Sequence, residues 1–350
     1  MKIVTIIGAR PQFIKSACLS RKIAEIDGLE EVTIHTGQHY DDEMSGIFFR
    51  QMRMKRADYH LDIHGERRTE VLGETISAIG RVLEVENPDR VVVYGDTDST
   101  LAGAISASKS GVELVHIEAG LRSGNRSMPE EINRVVTDAI SDILITPTRK
   151  SLENLEKEGS PDDGRKRLFC GDIMLECSRR YRKYARKPDI RIGGDFILCT
   201  VHRAGNTDDP ERLRSIFHAL ETIGESAEIV MPLHPRSSLA MERYGIDTNI
   251  ETVAPVGYLE MLWLLEHCSM VITDSGGLQR EAYFFKKPCI VLRDETEWIE
   301  LTEGGYTILA GSDSDKIVEA FESGSFSDSY DEAIFGDGDI SGKIVDGVTG

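Results

Sequence analysis

The chain lacks most of the features that would place it in a specialised class. Its six cysteines, Cys18, Cys170, Cys177, Cys199, Cys268 and Cys289, stand singly with no CxxC pair. Neither a disulfide scaffold nor a zinc ribbon is encoded. Most lie in or beside apolar runs such as FILCT (196–200) and KPCIVL (287–292), the pattern of reduced, buried thiols in a cytoplasmic protein. No apolar run reaches the ~18 residues of a membrane span, and the apolar part of MKIVTIIGAR is too short for a signal peptide. Positive charge is scarce: 41 Lys plus Arg face 60 Asp plus Glu, a net charge of −19. So acidic a surface repels phosphate, which argues against nucleic acid or an anionic membrane as partner. No GxGxxG follows the first apolar run, so nothing points to NAD. HTGQHYDD (35–42) holds metal-type residues without the spacing of a zinc site, and no metal is expected.

What is present is the composition of an ordinary globular protein, with 40% hydrophobic and 29% charged residues over 350 positions. That length suits two domains at about 150 residues each. Continuous apolar runs alternate with amphipathic stretches. KIVTIIG (2–8), EVTIHTG (31–37), RVVVYGD (90–96), ELVHIEAG (113–120) and SDILITPT (141–148) read as strands buried on both faces. Helices are expected from Pro11 to about Ile26, over 67–86 and 98–110, and from Pro129 onward. The basic, then Gly- and Pro-containing stretch 179–195 reads as a linker. After it the alternation restarts at 195–202, 227–234, 269–277 and 287–294. We therefore expect an α/β protein of two Rossmann-like, doubly wound domains, residues 1–180 and 181–335. A Gly-rich tail, 336–350, would be partly helical and pack near the linker. Two such domains leave a deep cleft, and chemistry in open parallel sheets gathers just beyond the strand ends.

Five groups of residues are candidates for chemistry, most of them at such ends. GARPQFIK (8–15) opens a helix whose N-terminus can hold an anion, with Arg10 and Lys15 adding cations; an ordinary surface turn is the plainer reading. Asp96 in GDTDS and Glu118 in HIEAGLRS each end an apolar strand, and on neighbouring strands they could serve as acid and base. Asp98 reads better as a capping residue. Glu130 and Glu131 follow Pro129 and complement the helix dipole, with Glu130 also a catalytic candidate and spaced to pair with Arg134. His202 and Arg203 in TVHRAGN, and His234 in LHPRS, form strand-end cationic groups. Finally, TDSGGLQREA (273–282) offers Ser275, Gly276 and Gly277 for close approach of a phosphate. Glu281, about a turn further on, suits two vicinal hydroxyls.

The segments IGARPQFIK, TGQH, GDTDS, HIEAGLR, PEEINR, VHR and TDSGGLQREA, running from residue 3 to about 300, resemble the non-hydrolysing UDP-N-acetylglucosamine 2-epimerases. The resemblance implies two Rossmann-like domains in the GT-B arrangement, a cytoplasmic homodimer, a UDP-sugar substrate and no redox cofactor. It implies interconversion of UDP-N-acetylglucosamine and UDP-N-acetylmannosamine, by loss of UDP to an acetamidoglucal and re-addition. It places Asp96, Glu118, Glu130 and His202 at the catalytic positions and Lys15 at a substrate contact. Arg10, Ser275, Gly276 and Gly277 would hold the diphosphate, Glu281 the ribose, and 255–262, which includes Met261, the uracil. The sequence departs from the family pattern at two points. Trp298 in RDETEWIE and Tyr40 in QHYDD stand where the family has arginine. An indole could wall a second acetamido methyl or simply pack into the domain. SGNRSMPEE is closer to the branch acting on UDP-2,3-diacetamido-2,3-dideoxy-glucuronate. The parent N-acetylglucosamine activity is the expectation. That uronate, a GT-B glycosyltransferase and a hydrolysing epimerase are the alternatives, with a sugar-nucleotide sensor as the non-enzymatic one.

Overall fold

The run Lys2–Ile7 is buried at every position but the first because both of its faces are covered, and in the computed structural model it is an interior strand, β1, of a parallel sheet. The structure describes all residues except 39–46, 53, 66 and 160–162. The chain divides into two units, Met1–Arg180 with Glu332–Gly350, and Tyr181–Asp331.

In chain order the first unit is built from β1, α1 (Arg10–Ala24), β2 (Glu30–His35), α2 (Ile47–Met52), β3 (Tyr59–His60), α3 (Arg68–Glu86), β4 (Arg90–Tyr94), α4 (Asp98–Ser110), β5 (Glu113–Ile117), α5 (Pro129–Ile140), β6 (Ile143–Thr146), α6 (Arg149–Glu158), β7 (Lys166–Phe169) and most of α7 (Ile173–Arg182), whose last two residues belong to the second unit. Among the described residues its sheet has the order β3-β2-β1-β4-β5-β6-β7, all pairs parallel. Chain direction across the sheet reverses between β1 and β4, the switch point of a doubly wound fold. Val4, Ile6, Val91 and Val93 pack on one side against Ile79 and Leu83 of α3 and Ala104 of α4.

The second unit repeats the plan with β8 (Phe196–Thr200), α8 (Ala204–Thr207), α9 (Pro210–Gly224), β9 (Glu228–Pro232), α10 (Pro235–Tyr244), β10 (Glu251–Val253), α11 (Tyr258–His267), β11 (Met270–Thr273), α12 (Gly276–Phe284), β12 (Cys289–Val291), α13 (Ile299–Glu303), β13 (Thr307–Leu309) and α14 (Ser314–Ser323). The parallel sheet order is β10-β9-β8-β11-β12-β13, with its switch point between β8 and β11. Apolar layers cover both faces.

One segment and one boundary differ from expectation. The stretch expected as a linker from 179 begins inside α7, and its Arg182 is tied to Glu266 of α11 at 2.8 Å. The second unit ends at Asp331, four residues before the expected 335. The amide of Asp172 donates to Phe335 O at 2.9 Å, which draws the returning chain into the first unit. There the last helix, α15 (Ile340–Thr349), packs on α1 and β6, and Ser341 bonds Glu176 of α7. All six cysteines are free and buried. Burial pushes up the thiols of Cys177, Cys199 and Cys289, and raises Cys170 to about 11 and Cys268 to about 12. Among the described residues no helix is long and apolar enough to cross a membrane.

Candidate active site

In the first unit the turn after β1 is fixed by one buried amide. Gln12 Oε1 accepts from the N–H groups of Gly8 and Ala9 at 2.8 and 3.0 Å. Its Nε2 reaches Tyr94 O and Thr97 Oγ1 at 3.0 Å and Thr100 Oγ1 at 2.9 Å. The β1–α1 and β4–α4 turns on either side of the switch point are thereby locked together. Gly8 is required by space: a Cβ there would lie 2.0 Å from Thr36 Oγ1 and 2.2 Å from Ser99 Oγ. Arg10, half-buried, is the first residue of α1. Beside this turn lies a pocket of about 330 Å³ lined in part by Thr36, Gln38, Arg68, Asp98 and Ser99.

The condition set by the sequence for Asp96 and Glu118 is met, since β4 and β5 are hydrogen-bonded neighbours with Tyr94 opposite Ile117. Glu118 adopts φ +75, a left-handed conformation rare for a non-glycine residue. Its carboxylate meets the Lys15 ammonium at 2.7 Å, with the two side chains 10% and 3% exposed. Asp96 accepts from Arg134 Nη2, and its carbonyl accepts from Asn133 Nδ2 at 3.0 Å. Glu130 sits half-buried in the first turn of α5, complementing the dipole. Its neighbour Glu131 is buried and holds the Ser123 and Gly124 amides at 3.0 Å as well as Arg134 at 2.9 Å. Asp98 is not the cap of α4: Thr97 accepts from Thr100 N, and Asp98 instead takes Asn133 Nδ2 at 3.0 Å.

In the second unit the residues after β8 and β11 are likewise locked across the switch point. Asp274, fully buried, accepts the amides of His202 at 3.0 Å and Arg203 at 2.9 Å, and faces His202 Nδ1 at 3.5 Å. The rings of His202 and His234 stack at 5.3 Å, so the two cationic groups read separately in the sequence form one patch. His234 caps α10 by accepting Arg236 N at Nδ1. Ser275 caps α12, accepting Leu278 N at 3.3 Å. Next to it, a Cβ on Gly276 would sit 2.2 Å from Glu297 Oε1 and 3.5 Å from Arg203 Nη2, while Gly277 is open. Glu281 is 7% exposed on α12. Met261 is packed in the core beside Leu265 and Val271, so its side chain is committed to packing. Trp298 is also interior, 2% exposed beneath the Arg280 guanidinium at 4.8 Å, and does not offer the open apolar wall considered for it. Tyr40 lies outside the described residues.

Arg10, Lys15, Asp96, Glu118 and Glu130 thus belong to the first unit, where Lys15 and Glu118 are in contact; His202, Arg203, His234, Ser275, Gly276, Gly277 and Glu281 belong to the second, where His202 stacks on His234. The side chains that hold them, Gln12, Arg134 and Asp274, were not read from the sequence as supports for these residues. The available signal was their nearness to the motif residues.

A family model described as UDP-N-acetylglucosamine 2-epimerase matches residues 21–349. The chain belongs to the UDP-N-acetylglucosamine 2-epimerase family. This epimerase is 48% identical over 349 residues, 99% of each chain, to the Pseudomonas aeruginosa protein named UDP-2,3-diacetamido-2,3-dideoxy-D-glucuronate 2-epimerase. It is 39% identical over 360 residues, 98% of this chain and 97% of the other, to a UDP-N-acetylglucosamine 2-epimerase of Methanococcus maripaludis. It matches the crystal structure of Methanocaldococcus jannaschii UDP-GlcNAc 2-epimerase in complex with UDP-GlcNAc and UDP with TM-score 0.93 and 37% identity, covering 100% of this chain and 99% of that one. The epimerase is therefore an isomerase acting on nucleotide sugars.

Proposed function

We propose that this epimerase inverts carbon 2 of a UDP-linked 2-acetamido sugar by eliminating UDP and adding it back. The proton at carbon 2 is not beside a carbonyl, so simple deprotonation is too costly. A base removes it while the carbon 1–oxygen bond breaks with its electron pair leaving on UDP, giving a 2-acetamidoglycal. The diphosphate oxygen then re-adds to carbon 1 as a proton returns to carbon 2 on the other face. The observation that carries this reading is the pair of carboxylates, Asp96 and Glu118, ending adjacent strands, each bonded to a buried cation. Together with Glu130 and His202 they supply the proton-transfer groups. Charge on the departing diphosphate is met by the N-terminus of α12 at Ser275, Gly276 and Gly277, with Arg10, Arg203 and His234 adding positive or hydrogen-bonding character. Glu281 takes the ribose hydroxyls, Lys15 a sugar contact, and 255–262, with Met261 acting through its backbone, the uracil. Incubation with substrate in heavy water tests this by proton NMR. Deuterium at carbon 2 with UDP still attached is the expected result; free UDP and free sugar would mean hydrolysis, and no exchange would refute the proposal.

For the sugar itself we favour UDP-2,3-diacetamido-2,3-dideoxy-glucuronate over UDP-N-acetylglucosamine, the sequence-based expectation. What supports it is the 48% identity over 99% of both chains to a relative named for that substrate. The buried Trp298 contributes no argument either way. Side-by-side kcat/KM values decide it, since a tenfold preference needs only ~1.4 kcal/mol, within reach of one added contact. Equal or reversed specificity returns the assignment to UDP-N-acetylglucosamine.

A further inference from the structure

The buried, polar side of α5 carries a second set of groups that the mechanism above does not use. His116, on β5, is 0% exposed. Its Nε2 lies 2.7 Å from Gly95 O and its Nδ1 2.7 Å from Asp138 Oδ1. A carbonyl oxygen only accepts, so Nε2 carries a proton. The other oxygen of Asp138 already accepts Gly120 N at 3.0 Å and the Arg122 guanidinium at 2.6 Å. A bare Nδ1 would set two acceptors against each other at 2.7 Å, so a proton lies between Nδ1 and Asp138. Arg122 on the carboxylate places that proton on the ring. Burial pushes the Asp138 carboxyl up, but His116 and Arg122 more than offset it and hold the group below the usual carboxylate range. The other charged groups around the pair are Glu158 of α6, which takes Arg122 Nη2 at 2.6 Å, and Arg165 before β7, which donates to the Asp138 carbonyl at 2.9 Å.

The backbone atoms this pair grips are informative. Gly95 O belongs to the residue before Asp96. Gly120 N lies two residues after Glu118. We propose that His116 and Asp138 are positioning residues for the epimerisation: a buried imidazolium–carboxylate pair that fixes the spacing of the two strand-end turns carrying Asp96 and Glu118. It rests on the reading of Asp96 and Glu118 as proton-transfer groups. Two carboxylates that must remove a proton from one face of a carbon and return it on the other tolerate little drift, since a misplacement of about 1 Å can cost roughly 10²-fold in rate.

The test uses the full chain with His116→Gln and Asp138→Asn, alongside Asp96→Asn and Glu118→Gln. Gln keeps a donor for Gly95 O but carries no charge, and Asn removes the partner charge. For both positioning variants kcat per folded molecule should fall about 10- to 100-fold, while KM and UDP affinity stay within about twofold. If Asp96→Asn and Glu118→Gln lose activity but folded His116→Gln and Asp138→Asn keep wild-type kcat, the pair is merely structural and the proposal is overturned. If the two carboxylate variants stay active, the proton-transfer reading itself fails, and the pair has nothing to position. Should the positioning variants not fold, nitrogen NMR of histidine-labelled wild-type protein decides. Both ring nitrogens of His116 protonated at neutral pH supports the pair, and a singly protonated ring overturns it.

Discussion

Replacing Lys15 with methionine removes an ammonium from a carboxylate that has almost no contact with water. Lys15 and Glu118 lie 2.7 Å apart at 3% and 10% exposure, and removing one member of such a pair typically costs about 3–5 kcal/mol. At about 2–4 °C per kcal/mol for a unit of this size, Lys15→Met should lower the melting temperature by roughly 6–20 °C in scanning calorimetry. The same substitution moves the Glu118 carboxylate, held by a left-handed backbone in a fixed turn, so turnover should fall as well. A double variant separates the two effects. In Lys15→Met with Glu118→Leu both charges are gone, and an apolar pair of similar volume often matches or exceeds a buried ion pair in stability. Its melting temperature should recover most of the loss while activity stays at background. Either of two results would refute the reasoning: Lys15→Met melting like the wild type, which would mean the pair is solvated, or the double variant melting no higher than the single one.

Asp96→Asn, Glu118→Gln and Glu130→Gln should each reduce turnover by about 10²-fold or more with UDP affinity nearly unchanged, as read by calorimetric titration; normal turnover in all three removes them from the chemistry. Glu281→Ala should weaken UDP binding by about 1.5–3 kcal/mol, the scale of a hydrogen bond to a charged group, and unchanged affinity would make Glu281 structural. The Asp138 carboxyl lies below its ordinary value in the folded chain, so its stabilising effect is fully present above the ordinary carboxylate range and is lost as pH falls through the folded value. The gap in urea midpoint between wild type and Asp138→Asn should therefore narrow between pH 7 and pH 3, and a constant gap counts against the ion pair. Because all six cysteines are buried, a thiol reagent should label none of them rapidly until denaturant is added; prompt labelling of any one contradicts the packing.

The architecture was legible because parallel strands buried on both faces leave a plain mark. The runs at 2–8, 90–96 and 113–120 contain β1, β4 and β5. The strands overlooked are short. Tyr59–His60 is two residues long, Glu251–Val253 and Thr307–Leu309 are three each, and Lys166–Phe169 is four. Such edge segments owe their state to the neighbour they pair with, which no local pattern records. The two switch points stood out as candidate sites for a related reason. A chain that ends a buried strand in Gly-Ala-Arg or Asp-Ser-Gly-Gly is spending polar and flexible residues where packing alone would not need them.

The supporting residues were illegible because they invert the usual sign of amphipathicity. On α5 the buried residues are Glu131, Asn133, Arg134, Thr137 and Asp138, while Ile132 and Val136 are 50% and 36% exposed. Periodicity alone would turn this helix the other way, with Ile132 and Val136 inward. Burying its polar side is tolerable only if those groups find partners. Arg134 has Asp96 and Glu131, Asn133 has Asp98 and the Asp96 carbonyl, and Asp138 has His116, Arg122 and Gly120. Apart from Glu131 on the helix itself, those partners sit on β5, in the turns after β4 and β5 and at the start of α4, so the helix orientation is decided by residues up to 38 positions away. The same long-range bonds that hide this face from a sequence reading bring order to the strand-end carboxylates, because a helix packed through its polar groups carries its geometry directly to Asp96 and the Glu118 turn.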